Sequence, residues 1–228
     1  MSRCLAVMCK QPQHGRVKTR IAAKLGDDVA TELYRCALAD TLALVSSIQG
    51  ATHVLSYSPP TLDSRRYFEQ TVPAFGLIAQ RGVTLGERIT GTLGDLLKNY
   101  SPVVLIGSDS PDLPADLITN AFSTLRTTDL VLGPATDGGY YLVGLNVMCS
   151  RLFERIDWST SLVAQQTLER AAKAGLRTVS LPIWHDLDTV EDLNAIVAPG
   201  APLTRALVAT LKAKEIDENE SGSCVESR

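Results

Sequence analysis

The sequence predicts an α/β protein with a Rossmann-like, mainly parallel sheet flanked by helices, and three observations carry that prediction. Short continuous apolar runs alternate with stretches of helical periodicity along most of the chain. The runs are bounded by Gly, Pro, Asp and Ser, as strands buried on both faces are. Acids and cations follow directly after several of the runs, at what would be the carboxyl edge of the sheet, where such sheets bind ligands.

The first run, Leu5 to Cys9, opens onto a polar Lys-Gln-Pro-Gln-His-Gly loop. From Asp27 onward Ala30, Leu33, Tyr34, Ala37, Leu38, Thr41, Leu42 and Val45 recur at helical spacing, so a long helix with one apolar face is expected. Val54 to Tyr57 and Leu77 to Ala79 read as strands, with a helix between them around Tyr67 and Phe68. Leu85 to Tyr100 is helical by pattern, and Val103 to Ile106 is the most strand-like run in the chain. Pro114 to Leu125 reads as a helix with Pro near its first turn. Leu130 to Leu132 and Tyr140 to Leu145 are strands flanking an Asp-Gly-Gly turn, and Ser161 to Ala174 is a helix closed by Gly175. Val179 to Trp184 is a late strand, after which Thr189 to Asp192 supplies a capping box for a short helix.

Composition bounds the function. The 228 residues suit one domain, taken as 1–213, with 214–228 a polar tail expected to be disordered. With 45% hydrophobic and 21% charged residues the chain can bury a large core. A net charge of −3 argues against nucleic acid as a partner, since such binding needs many cations. Cys4, Cys9, Cys36, Cys149 and Cys224 are scattered without a Cys-x-x-Cys pair, which speaks for a reducing, cytoplasmic location rather than a disulfide framework or zinc site. The apolar run before Lys10 is too short for a signal peptide, and no stretch approaches a membrane span. A homo-oligomer is compatible with the sequence.

Five constellations carry chemistry. Lys10 to Arg20 holds four cations (Lys10, Arg16, Lys18, Arg20) and no acid, with Gly15 shaping the backbone and Thr19 between the last two cations. It reads as a phosphate grip, or as a solvated basic loop. In Gly107-Ser108-Asp109-Ser110-Pro111-Asp112 a strand delivers a carboxylate to the sheet edge, where a divalent cation would offset its burial. The alternative is that Asp109 caps the following turn. Asp137-Gly138-Gly139-Tyr140-Tyr141 fits close backbone approach to a ligand, and fits a β-hairpin turn equally well. His185-Asp186-Leu187-Asp188 places two acids on one side of an extended segment, suited to a second metal contact or to turn chemistry. Gln80-Arg81-Gly82 enters a helix and offers base or phosphate contacts, or an ordinary surface arginine. His14, His53 and His185 show no ligand spacing, and no nucleophile pattern for covalent hydrolysis emerges.

Together, Lys-x-Pro-x-x-Gly-x-Val-Lys-Thr-Arg, Gly-Ser-Asp-Ser-Pro-Asp-Leu-Pro and Leu-Gly-Pro-Ala-x-Asp-Gly-Gly-Tyr-Tyr-Leu-x-Gly-Leu resemble the DUF2064 family of glycosyltransferase-like proteins, from about Leu5 to Asp192. The resemblance implies a GT-A nucleotide-diphospho-sugar transferase fold, similar also to 2-phospholactate guanylyltransferase and molybdenum-cofactor nucleotidyltransferases. Some family members carry an arsenosugar-pathway label. Carried onto this chain, the resemblance puts Lys10, Lys18 and Arg20 at a nucleotide's phosphates; read with the constellations above, Gly15, Thr19 and Ser108, with Gln80, Arg81 and Gly82, complete the expected nucleotide site. A sugar or small-molecule acceptor falls at Gly138, Gly139 and Tyr140, and Mg²⁺ or Mn²⁺ at Asp109 with Asp186 or Asp188. Asp109, Asp137 and Lys18 would act in catalysis. The Asp-x-Asp of many glycosyltransferases is missing, since Gly107 and Pro111 flank Asp109 at that spacing. Two reactions follow: glycosyl transfer from a nucleotide sugar, or nucleotidyl transfer from a nucleoside triphosphate, which the four cations suit. The absent Asp-x-Asp also permits an inactive binding scaffold.

Overall fold

The computed structural model describes residues 1–196 and 200–223. A seven-stranded sheet of order β3-β2-β1-β4-β6-β5-β7 forms its centre. The strands are β1 (Cys4–Lys10), β2 (Thr52–Ser58), β3 (Gly76–Ala79), β4 (Val103–Ile106), β5 (Leu130–Pro134), β6 (Tyr140–Leu145) and β7 (Thr178–Ser180). The helices are α1 (Thr19–Leu25), α2 (Asp27–Ser47), α3 (Leu62–Thr71), α4 (Leu85–Leu96), α5 (Ala115–Thr124), α6 (Val163–Lys173) and α7 (Pro202–Ser223).

The sheet is mainly parallel, as the alternation of patterns predicts: β1 pairs in parallel with β2 and β4, β2 with β3, and β5 with β7. Only β6 runs against its neighbours β4 and β5. The reason is local. Asp137 and Gly138 turn the chain in a tight hairpin, closed by Gly138 N–H to the Ala135 carbonyl at 3.1 Å and Ala135 N–H to the Gly139 carbonyl at 3.0 Å. A crossover helix would be needed to keep β6 parallel, and the five residues 135–139 cannot supply one.

Strand alternation divides the core between the two faces. Leu5, Val7 and Cys9 point to one face, onto Tyr34, Leu38 and Leu42 of α2, Phe68 of α3 and Ile118 and Phe122 of α5. Cys4 and Ala6 point to the other, with Ile89, Leu93 and Leu96 of α4 and Ala164 and Ala171 of α6. A third cluster packs Ile21 of α1 and Leu187 and Leu193 against Ala30, Leu33 and Ala37 of α2, and takes in Val208 of α7. It fixes where the 184–188 segment lies.

Several elements depart from the sequence expectation. Strand β7 is shorter than Val179 to Trp184 because the register slips by one residue after Leu181: the Leu181 N–H donates to the Leu132 carbonyl at 2.8 Å, but Trp184 rather than Ile183 donates next, to the Pro134 carbonyl at 3.1 Å, and an isolated bridge between Ala135 and Trp184 resumes the pairing. Helix α4 ends at Leu96 rather than Tyr100, and a Thr84–Glu87 capping box starts it. The carboxylate of Asp192 accepts from the Thr189 N–H at 2.7 Å and introduces a single 3₁₀ turn, Glu191–Asn194. Helices α1 and α7 were not expected: α1 buries only Ile21, too little to show a period. Helix α7 takes in residues 214–223 of the expected tail, while 224–228, including Cys224, lie outside the described residues. Cys4, Cys9, Cys36 and Cys149 are free thiols. No helix among the described residues is long and apolar enough to cross a membrane.

Helix α7 is held from a distance. The buried carboxylate of Asp40, on α2, accepts from the N–H groups of Leu203 at 3.2 Å and Thr204 at 2.8 Å, and from the Thr204 hydroxyl at 2.7 Å. It caps a helix more than 160 residues away in sequence. Asp40→Ala is expected to lower stability by about 2 kcal/mol, from the lost cap and the buried donors it leaves. The urea midpoint measures this, and a midpoint equal to wild type would refute the cap.

Candidate active site

The carboxyl ends of β1, β4 and β7 face the same edge of the sheet, and their loops supply the charged groups. After β1, a turn closed by Arg16 N–H to the Gln13 carbonyl at 3.0 Å and by Gly15 at φ 69° brings the chain to Lys18. Lys18 caps α1 in a left-handed conformation, φ 46° and ψ 47°, which is uncommon for a residue with a side chain. Its side chain is only 3% exposed. The ammonium binds Asp109 Oδ1 and, at 3.1 Å, Asp188 Oδ1. It also lies 6.0 Å from the centre of the Tyr34 ring. Burial disfavours the ammonium, but the two carboxylates outweigh it and hold the Lys18 pKa above its ordinary value. Arg20, well exposed, stands 4.0 Å from Asp188 Oδ2.

The loops after β4 and β7 are fastened along their length. The Leu187 N–H donates to the Asp109 carbonyl at 2.7 Å, and the Ser110 hydroxyl donates to Asp186 Oδ1 at 2.6 Å. Asp112, whose side chain is fully buried, receives the Trp184 indole N–H at 3.3 Å and meets His185 Nε2 at 3.1 Å. The His185 ring stacks on Trp184 at 4.9 Å. This clasp was not read from the sequence, where Asp112, Ser110 and His185 look like ordinary turn residues. Tyr34 was also missed as a site residue, because its helical spacing marks it as core. Its hydroxyl receives the Lys10 N–H at 2.8 Å and bonds the Ser108 hydroxyl at 3.1 Å, tying the end of β1 to the end of β4.

The expected site residues therefore separate. Lys18, Asp109 and Asp188 meet at one point, and Arg20 stands beside them. Asp186 turns instead to Ser110, so the alternate spacing of Asp186 and Asp188 does not put both on one ligand. Burial pushes the Asp186 carboxyl from 3.8 up to about 7; the Ser110 hydrogen bond opposes this, while the charges of Asp109, Asp137 and Asp188 add to it. Lys10, Gly15 and Thr19 are exposed along the approach. Ser108 presents its backbone only, since its hydroxyl is buried against Tyr34. Gln80 is spent inside: its amide bridges the carbonyls of Cys9 at 3.1 Å and Ser56 at 2.7 Å. Arg81 pairs with Asp95, and Gly82 adopts φ 116° beside Glu87.

At the hairpin, Asp137 Oδ1 accepts the Gly139 N–H at 2.7 Å and the rest of the side chain is exposed. Gly138, at φ 86°, comes so close to Ser161 that an added Cβ would lie 2.2 Å from its carbonyl oxygen, so only glycine fits. The hydroxyl of Tyr140 is buried and meets no hydrogen-bond partner of good geometry among the described residues, and its ring meets Trp158 edge-on at 6.4 Å. It faces the core rather than an acceptor. One surface concavity lies along α7 and another among Arg151, Arg155, Arg170 and Lys173, both away from this cluster.

The donor set bears on a metal. Among the described residues no group of three or more His, Cys, Asp and Glu is placed to hold an ion. Asp109 and Asp188, with side chains 47% and 42% exposed, converge from different loops. Two carboxylates suffice for a Mg²⁺-like ion that takes its other ligands from phosphates and water, so the residues present fit one bound together with a nucleotide.

Residues 41–160 match the family described as "Uncharacterized protein conserved in bacteria (DUF2064)". The chain belongs to that family. This DUF2064 chain is similar to a candidate nucleotide-diphospho-sugar transferase from Desulfovibrio desulfuricans G20, at 35% identity and a TM-score of 0.84, covering 92% of this chain and 98% of that one. The fold is shared more distantly by the inositol-1-phosphate CTP transferase of T. maritima, at 14% identity and a TM-score of 0.54, over 91% of this chain and 96% of that one. It is shared also by Rv0371c of Mycobacterium tuberculosis H37Rv, solved with manganese, at 12% identity and a TM-score of 0.53, over 86% and 98% of the two chains. No curated protein matches the DUF2064 chain in sequence. The GT-A nucleotide-diphospho-sugar transferase fold expected from the motifs is thus the fold found.

The position of Asp186 has a measurable consequence. Between pH of about 4 and 7 the folded chain keeps a proton on Asp186 that the unfolded chain releases, so this group's contribution to stability is present below about pH 4 and is lost as pH rises through about 7. Asp186→Asn is expected to flatten that decline, by on the order of a few kcal/mol across the window. Denaturant melts of both proteins at several pH values check it; parallel profiles would contradict the assignment.

Proposed function

We propose that this chain is a metal-dependent transferase using a nucleotide-activated donor, and that the donor is a nucleoside-diphosphate sugar. The convergence of Asp109 and Asp188 on Lys18, at the carboxyl edge of a GT-A sheet, carries the reading. The likeness to the Desulfovibrio protein supports the choice of donor.

In this reading Lys10, Arg16 and Arg20 approach the donor's phosphates from the loop after β1, with Gly15 and Thr19 lining the path. Asp109 and Asp188 would hold Mg²⁺ or Mn²⁺, which when bound supplies positive charge to the departing diphosphate. Asp186 holds the 184–188 segment in place through Ser110 and leaves the ion to Asp188. Arg81 and Gly82 flank the nucleotide side, while Gln80 supports that side by tying β1 to β2. The hairpin at Gly138 and Gly139 faces a small-molecule acceptor. Asp137, with one oxygen on Gly139 and the other free toward solvent, takes the acceptor's proton in an inverting reaction. Tyr140 shapes this side by packing rather than by its hydroxyl.

Nucleotidyl transfer is the second reading, and the cluster of Lys10, Arg16, Lys18 and Arg20 favours it, because a triphosphate brings more negative charge than a diphosphate sugar. A thermal-shift panel of nucleoside triphosphates and nucleotide sugars, each with Mg²⁺ or Mn²⁺, separates the two. Nucleotide sugars with metal are expected to raise the melting temperature by about 5 °C or more at saturating concentration. Asp109→Asn should abolish the metal-dependent part. Stabilisation by triphosphates alone would sink glycosyl transfer, and no stabilisation by either class would sink both readings in favour of a binding scaffold.

A further inference from the structure

We infer that Lys18 is an internal competitor of the divalent ion: its ammonium occupies the Asp109–Asp188 pair in the resting protein, and a metal takes the pair only by displacing it. The inference rests on the assignment of these carboxylates to a metal in the proposed function.

The geometry sets up the contest. Lys18 Nζ binds Asp109 Oδ1 and sits 3.1 Å from Asp188 Oδ1, so both carboxylates offer lone pairs to the same ammonium. A hard cation seeks those same oxygens. An ion and an ammonium sharing them would bring like charges together at a place where the ammonium has almost no water to screen it, its side chain being 3% exposed. The carboxylates are themselves open to solvent, at 47% and 42%, so an ion reaches them without any prior movement. The outcome is therefore decided at the oxygens rather than by access.

Two further features fit an occupant that can leave. Lys18 cancels one of the pair's two negative charges, which leaves the pair attractive to cations but weakens its hold on a metal alone. The lysine also sits in a left-handed backbone conformation, which costs free energy in a residue with a side chain. Once displaced, the ammonium stands among Lys10, Arg16 and Arg20 on the phosphate-facing loop. A donor's phosphates then recover the contact it has lost, so metal and donor strengthen each other's binding.

The test uses Mn²⁺ alone, titrated into the full-length wild type, Lys18→Met and Lys18→Arg, with free Mn²⁺ read from its electron paramagnetic resonance signal. Lys18→Met keeps the length and removes the charge, and is expected to bind Mn²⁺ about tenfold more tightly than wild type. Lys18→Arg keeps the charge and should stay within about threefold. Unchanged or weaker binding in Lys18→Met overturns the inference, because Lys18 would then be holding the ligands in place for the ion. Absence of Mn²⁺ uptake by all three proteins overturns it as well. Should Lys18→Met fail to fold, the wild type answers alone. Reductive methylation followed by peptide mass spectrometry is expected to spare Lys18 in the free protein and to label it when Mg²⁺ is added; no gain in labelling with Mg²⁺ refutes displacement. Both measurements omit nucleotide. A failure of the nucleotide panel with these results intact would remove the transferase reading and leave the competition standing.

Discussion

Everything at the sheet edge depends on the clasp between the loops after β4 and β7. These strands are separated by β6 and β5 in the sheet, yet the two loops run together, with Asp112 on Trp184 and His185, Ser110 on Asp186, and the Asp109 carbonyl on Leu187. Asp112 is the costliest member. A fully buried carboxylate without donors would destabilise the fold by several kcal/mol, so its indole and imidazole partners are obligatory rather than incidental. Leu187 anchors the other strand of the clasp by burying itself with Ile21 and Leu33. Because Ile21 lies one turn beyond Lys18, the apolar cluster and the ionic one position each other.

On the β4 loop Asp109 has no acid two residues away, and Asp112 is committed to the clasp. The second carboxylate arrives from the β7 side, carried by backbone hydrogen bonding and apolar packing rather than by local spacing. The chain then concentrates negative charge in a small space. Asp186 holds its proton more tightly, chiefly because it is buried and in lesser part because of these charges, and Lys18 gives its ammonium to the other two acids. A region so charged is poorly suited to stability, as functional sites often are.

Much of the fold is legible in the sequence because buried strands and amphipathic helices leave periodic traces. Val103–Ile106 and Tyr140–Leu145 have the bounds their apolar runs predict. Where burial is slight the trace fades: α1 buries one residue and shows no period, and α7 depends on a cap supplied by Asp40. The site was legible as a set of residue types at strand ends, but the partners of each side chain were not. Gln80 and Tyr140 have the composition of ligand contacts, yet Gln80 spends its amide on the carbonyls of Cys9 and Ser56, and Tyr140 turns its hydroxyl into the core.

The sequence by itself determined the α/β class, the order of most elements, the DUF2064 motifs and the delivery of Asp109 to the carboxyl edge of the sheet. Apolar periodicity and turn chemistry are local properties, and local properties are written in neighbouring residues. Only the tertiary structure decided that Asp188 rather than Asp186 joins Asp109, that Lys18 lies between them, and that the Asp-Gly-Gly turn reverses β6. Pairings such as Lys18 with Asp188 span 170 positions, and which of two alternate acids faces inward depends on the clasp and on the packing of Leu187 against α2.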